Sequence, residues 1–168
     1  MKIKQFLLSI LALALMACGN SSEGSSSSDN ENKKKPVEAV VNKDGLTIVT
    51  MESNDQMRFN LNEIKVKSGN IVELKLLHVG QLDKKIMGHN FVLLKAGVDI
   101  NDFAKKALKA KENEYIPVDS EDVLAHTEMI GGGEETSITF EAPESGTYDF
   151  VCSFPGHVAL MNGKLIVE

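Results

Sequence analysis

Two cysteines, four histidines and no tryptophan are all that 168 residues provide, and these shortages exclude whole classes of protein. So few cysteines cannot build the disulfide framework of a small secreted scaffold. Four histidines leave no room for a site built on a large histidine cluster. No apolar run reaches membrane-spanning length, since the longest, Phe6 to Ala17, is too short for a comfortable transmembrane helix. Positive charge is also scarce. From Val37 onward there are 13 Lys and Arg against 21 Asp and Glu, a net charge of -8, which argues against nucleic acid as a partner. No internal repeat is visible.

What is present begins with an export signal. Lys2 and Lys4 precede the apolar run "FLLSILALALMA", flanked as a secretory signal peptide is. The run ends in Leu15-Met16-Ala17-Cys18, which resembles the bacterial lipobox, where a diacylglycerol is attached to the cysteine sulfur and cleavage follows before it. Residues 1–17 are therefore read as a lipoprotein signal peptide and Cys18 as the point of lipid attachment. After Cys18 comes "GNSSEGSSSSDNENKKKP", with no aliphatic or aromatic side chain, so residues 18–36 are expected to be a flexible tether. Its ~18 residues span ~60 Å when stretched and ~25 Å when relaxed. Gly19 stands where an aspartate often retains a lipoprotein at the inner membrane, which favours the outer membrane.

Residues 37–168 are one domain's worth of chain. "LTIVTM", "EIKVK", "IVELKLLH", "HNFVLL", "TSITFE", "GTYDFVC" and "GKLIVE" are rich in Val, Ile, Thr and Phe and are bounded by turn residues. The pattern predicts an all-β fold, a sandwich or small barrel. One helix interrupts it. Ile100, Phe103, Ala104, Ala107 and Leu108 recur at helical spacing behind Asp99 as a cap, an excursion on the flank of the sandwich.

The stretch "CSFPGHVALM" gathers a thiol, an imidazole and a thioether, a soft ligand set that prefers copper to magnesium or calcium. Strand parity puts Tyr148, Phe150 and Cys152 on one face, so the thiol points at the core. Pro155 and Gly156 turn the chain and bring His157 back towards Cys152, while Met161 precedes Asn162-Gly163, read as a second turn. With Cys18 lipidated, Cys152 has no disulfide partner, and a lone thiol in an exported protein is either buried and inert or occupied by a metal. A fourth ligand must come from elsewhere, and His89 in "MGHNFVLL" is the best candidate, although a histidine at a strand start is more often a hydrogen-bonded polar residue. His78 shares the parity of Val72, Leu74 and Leu76 and should face inward.

"NDQM" at 54–57, "MGHN" at 87–90, "AHTEMIGGGE" at 125–134 and "CSFPGHVALM" at 152–161 closely resemble the corresponding stretches of the azurins, blue-copper proteins of the cupredoxin family. The resemblance runs from about Thr47 to the C-terminus. It implies a cupredoxin-like Greek-key β-sandwich and electron transfer through one type 1 copper cycling between Cu(I) and Cu(II). It further implies His89, Cys152 and His157 as the copper plane, Met161 and the Gly88 carbonyl as axial groups, and Asn90 tied to Ser153 beside Phe154 around the site. Met57, Leu82, Ile86, Met87, Pro155, Ala159 and Leu160 would form an apolar docking patch.

By the same likeness His78 matches a semi-buried structural histidine, and His126 has a counterpart best read as a surface residue. Two features depart from the family: the usual disulfide is missing, and Phe91 stands in place of a tryptophan. The expected partners are redox proteins such as c-type cytochromes or terminal reductases, and the membrane through the lipid anchor. The expected state is a monomer without enzymatic activity. A copper-sequestering lipoprotein is the alternative, but the seven methionines are scattered rather than clustered. After the copper plane only His78 and His126 remain, too few for a multicopper enzyme.

Overall fold

The computed structural model describes residues 40–118 and 120–168. The signal segment, Cys18 and the whole of the tether lie outside the described residues. Among the described residues ten strands form two five-stranded sheets. In one, β1 (Val40–Lys43), β2 (Leu46–Asn54), β5 (Ile71–His78) and β8 (Glu135–Glu141) lie side by side, and β3 (Arg58–Phe59) adds to β2. In the other, the order is β4 (Glu63–Val66), β10 (Asn162–Val167), β9 (Gly146–Val151), β6 (Val92–Leu94) and β7 (Val123–His126). The pairs β2–β5 and β4–β10 are parallel and the rest antiparallel.

Period-two patterning explains the sandwich. Along β2, Thr47, Val49, Met51 and Ser53 are buried while their neighbours are not, and β5 buries Val72, Leu74, Leu76 and His78 in the same way. These side chains meet Ile64, Val66, Phe91, Leu93, Tyr148, Phe150, Leu165 and Val167 from the other sheet to form the main core. Each fully buried Leu, Val or Phe contributes about 1.5–3 kcal/mol. Phe91 lies with its ring centroid 5.3 Å from that of Phe150 and is itself fully buried, so an apolar ring fills the place of the family tryptophan.

The helical excursion is α2 (Ile100–Ala107), with the Asp99 carboxylate accepting from the Asp102 N–H as the predicted cap. Phe103 and Ala107 bury against Val92, Leu94, Ile116 and Val151, a second apolar cluster on the outer face of β6 and β9. This is why β6 is buried on both faces. The apolar stripe stops one residue earlier than its spacing suggests: Leu108 is the C-cap and is 54% exposed, because the helix ends at Ala107.

Two elements differ from the sequence reading. Asn162-Gly163 is not a turn but the start of β10, paired with Val151 and Phe150. A Cβ at Gly163 would strike the Phe150 ring and lie 2.6 Å from the Asn62 carbonyl oxygen, so this glycine provides room rather than flexibility. The reversal is made instead by Pro155, Gly156 (φ 81°) and a 3-10 turn over His157–Ala159. The lysine-bearing loop before His89 contains a one-turn helix, α1 (Lys84–Met87), capped by the Asp83 carboxylate on the Lys85 N–H.

Candidate metal centre

The strand β9 ends at Val151 and delivers Cys152, fully buried, to one end of the sandwich. Its N–H donates to the Met161 carbonyl (2.9 Å), and the Met161 N–H donates to the His157 carbonyl (2.8 Å). The ten-residue loop is thereby stitched to itself at three of its residues. His89 enters from the chain between α1 and β6 and is locked by a two-way backbone bridge with Ile130 (2.9 and 2.8 Å).

Three ligand atoms converge at this point. The Cys152 Sγ lies 3.9 Å from His89 Nδ1 and 3.7 Å from His157 Nδ1, and all three residues are buried. Nitrogen and sulfur ligands sit ~2.0–2.3 Å from a small transition-metal ion. Three such atoms around one ion in a plane would be ~3.5–4.0 Å apart, which both sulfur–nitrogen spacings match, and all three ligand atoms lie within 4.8 Å of one another. The Gly88 carbonyl oxygen is 3.8 Å from the sulfur. A Cβ at Gly88 would come within 2.5 Å of the Lys84 carbonyl oxygen and 3.0 Å of the Met129 side chain, so only glycine allows this backbone so near the thiol. Met161 is fully buried.

Around these atoms the protein fixes orientation. His89 Nε2–H donates to the Asn54 carbonyl (2.9 Å), which leaves Nδ1 as the lone-pair nitrogen facing the sulfur. The Asn90 side chain bridges the two ligand segments: its Nδ2–H donates to Ser153 Oγ (2.8 Å) and its Oδ1 accepts from the Ser153 N–H (2.9 Å). The backbone amides of Asn90 and Phe154 act on the thiol in the direction that favours its ionised form. Phe154 is half-buried, its ring centroid 4.5 Å from that of His157.

The other two histidines stand apart. His78 faces inward as expected, and both its nitrogens are engaged: Nε2–H donates to the Met87 carbonyl (2.9 Å) and Nδ1 accepts from the Gly80 N–H (3.0 Å). With no free lone pair it supports the site by stacking on His89, centroids 4.4 Å apart. His126 is exposed at the end of β7. Among the described residues, His89, Cys152 and His157 form the one cluster of His, Cys, Asp and Glu side chains with metal-ligand spacing.

The site's supporting carbonyls escaped the sequence reading. Asn54 and Ile130 act through backbone atoms, which carry no side-chain signal. Thr127 does have a side chain in play: it is buried, its Oγ1 accepting from the Phe91 N–H and donating to the Glu128 carbonyl. A threonine within "AHTEMIGGGE" gave no hint of that.

Residues 46–168 match the family described as "Copper binding proteins, plastocyanin/azurin family". The chain belongs to this family. It is 40% identical over 124 residues to azurin of Pseudomonas aeruginosa, covering 71% of this chain and 84% of that protein. It is 44% identical, again over 124 residues, to "Outer membrane protein H.8" of Neisseria gonorrhoeae, covering 72% of this chain and 67% of that protein. Auracyanin A, a "blue" copper protein of Chloroflexus aurantiacus, superposes with a TM-score of 0.68 at 29% identity over 73% of this chain and 99% of its own. The cupredoxin-like fold and the copper cofactor are thus family properties of the plastocyanin/azurin chain described here, and its buried His2Cys set is the place for the ion.

Protonation follows from burial. Desolvation lowers the His89 and His157 imidazoles to about 4, and it raises the Cys152 thiol to about 11 despite the opposing effect of the Asn90 and Phe154 amides. At neutral pH both imidazoles are therefore already neutral and ligand-ready, whereas the thiol must lose one proton to bind a metal. Uptake of Zn2+, a redox-silent ion, should release about one proton between pH ~5 and ~10, so affinity should rise about tenfold per pH unit in that window. Calorimetry in buffers of different ionisation enthalpy measures the number; a release of two or more at pH 7 would show that the imidazoles start charged.

Proposed function

We propose that the protein is an exported, lipid-anchored electron carrier with one type 1 copper, which His89, Cys152 and His157 would hold together with Met161 and the Gly88 carbonyl. The observation that carries this reading is the buried Nδ1–Sγ–Nδ1 triangle, whose 3.7 and 3.9 Å edges suit one small ion. A bound copper ion supplies one-electron chemistry between Cu(I) and Cu(II). The protein contributes a site that changes little between the two charges. Cys152 and Met161 are pinned by the loop's own hydrogen bonds, His89 by Asn54 and Ile130, and the two segments to each other by Asn90. Such fixed positioning keeps reorganisation small. The test is the visible spectrum of the full chain with one equivalent of Cu(II): an intense thiolate-to-copper band near the blue-copper position is expected, and a colourless or weakly absorbing complex would overturn the reading.

Electrons are proposed to pass at the His157 end. Leu82, Ile86 and Leu160 are 39%, 64% and 45% exposed, Ala159 is exposed, and Met57, Met87 and Pro155 are half-buried. An apolar surface allows brief docking and quick release of redox proteins such as c-type cytochromes or terminal reductases. Leu160→Asp should slow electron self-exchange by about tenfold or more, through desolvation and like-charge repulsion, while the spectrum stays unchanged. Self-exchange equal to wild type, measured by NMR line broadening, would remove Leu160 from the port. A copper-sequestering role finds less support, because Met51, Met129 and Met161 are buried rather than displayed as exposed ligands.

The anchor is proposed to be the lipidated Cys18, with the outer membrane favoured. Cys18→Ala should move the protein from the membrane to the soluble fraction, since the tether has no apolar face for lipid. Membrane association that survived the change would locate the anchor elsewhere.

A further inference from the structure

Beside the metal centre, between α1 and the 3-10 turn at Lys111–Asn113, lies a cavity of about 350 Å3, within the range of small-molecule sites. It is lined by Tyr115, Phe154 and Met129 together with Lys84, Lys85, Lys111 and Glu114. Tyr115 meets Phe154 edge to face, centroids 5.5 Å apart, and Phe154 in turn lies against His157. The tyrosine is held there by unusual backbone: Glu114 and Tyr115 are consecutive non-glycine residues at φ 50° and 62°, the left-handed region that side chains rarely adopt. Glu114 is fixed in turn, one carboxylate oxygen accepting from the Met129 N–H (2.9 Å) and the other pairing with Lys84 Nζ (2.8 Å).

Around the rim the acidic groups gather on Lys84, where Glu128 and Glu134 act alongside Glu114. Lys84 and Glu114 satisfy each other, and the Asp83 carboxylate is taken up by the start of α1. Lys85 and Lys111 have no ion-pair partner among the described residues. Two ammonium groups free of ion pairs, beside Tyr115, Phe154 and Met129, favour a flat apolar body that carries negative charge. The geometry points to a binding site for a small aromatic anion, a ring system bearing a carboxylate or sulfonate, stacked on Tyr115 and Phe154 with its charge between Lys85 and Lys111. This site is independent of the copper reading, since none of its contacts uses a metal-ligand atom.

The experiment titrates 2-naphthoate into the metal-free full chain and follows the Tyr115 and Phe154 ring and Met129 methyl resonances. Saturable shifts confined to these residues are expected. The neutral 2-naphthamide should bind at least about fivefold more weakly, as should 2-naphthoate to a Lys85→Gln/Lys111→Gln double variant, the scale of two exposed charge contacts. Tyr115→Leu, which keeps the lysines, should also weaken binding. Absence of saturable shifts, equal affinity for the acid and the amide, or indifference to the double variant would each overturn the proposal. So would a hexaglutamate peptide that shifts the same resonances more strongly than 2-naphthoate at equal concentration, which would make the cavity part of a protein interface.

Discussion

Cys152→Ser protein is expected to remain colourless with Cu(II) and to bind copper at least about a hundredfold more weakly, while its far-ultraviolet circular dichroism stays that of the wild type. Loss of a metal's supporting hydrogen-bond partner alone costs ten- to a hundredfold in affinity, and here a direct soft ligand is removed. Serine is close in size, so the buried position does not open into a large cavity. A serine hydroxyl keeps a polar atom beside the Asn90 and Phe154 amides, which act on the thiol. The fold should therefore survive the loss of the site, with stability changed by about 1 kcal/mol. Competition with a chromophoric chelator measures the affinity, and the visible band reports the thiolate directly. A variant that stayed intensely blue would mean that the colour, and with it the copper thiolate, does not come from this residue.

The second large effect is expected at a residue whose side chain is not among the three converging ligand atoms. Asn90→Ala removes the bonds from Asn90 to the Ser153 N–H and Oγ and leaves two polar groups of a buried serine without partners. A hydrogen bond contributes about 1 kcal/mol net, and an orphaned buried donor costs about 1–3, so the domain should lose about 2–4 kcal/mol. For a domain of this length that is on the order of 10 °C in Tm. The same change unties the segment carrying His89 from the loop carrying Cys152 and His157, so copper should also dissociate faster. Calorimetric melting with and without copper separates the two effects. A variant that melted within a degree of the wild type in both states would show that the Asn90 bridge is not what couples the two segments.

How much of this was legible in the sequence depended on whether side chains or backbone carried the information. The alternation along Ile71–His78 specified β5 residue for residue, including the inward face of His78. Parity in "GTYDFVC" put Cys152 inward, and the Cys-x4-His-x3-Met spacing located its loop. The strands β1, β3 and β7 escaped because they are short edge elements whose pairing is set by their neighbours rather than by their own pattern. One turn of helix at Lys84–Met87 is too short to show a period. Asn162-Gly163 carries the strongest short-range turn signal there is, yet the Phe150 ring lying over Gly163 claims the pair for a strand. The tautomer of His89 rests on a carbonyl 35 residues away in the chain, and a carbonyl has no letter of its own.

The position of β10 governs the order in which the protein can assemble. The last strand of the chain lies inside its sheet rather than at an edge, between β4 and β9, with Leu165 opposite both Ile64 and Tyr148. A chain emerging N-terminus first has β4 available early but must wait for residues 162–167 before that parallel pair can close. Contacts so distant in sequence are slow to form, because the loop between them must be ordered first. The Cys152 N–H meets its acceptor at Met161 immediately before β10 begins, so the ligand loop is clamped at the same late moment. A chain in which β10 has not yet docked would thus expose its thiol without a pocket to hold an ion, and metal capture becomes a report that this sheet has closed.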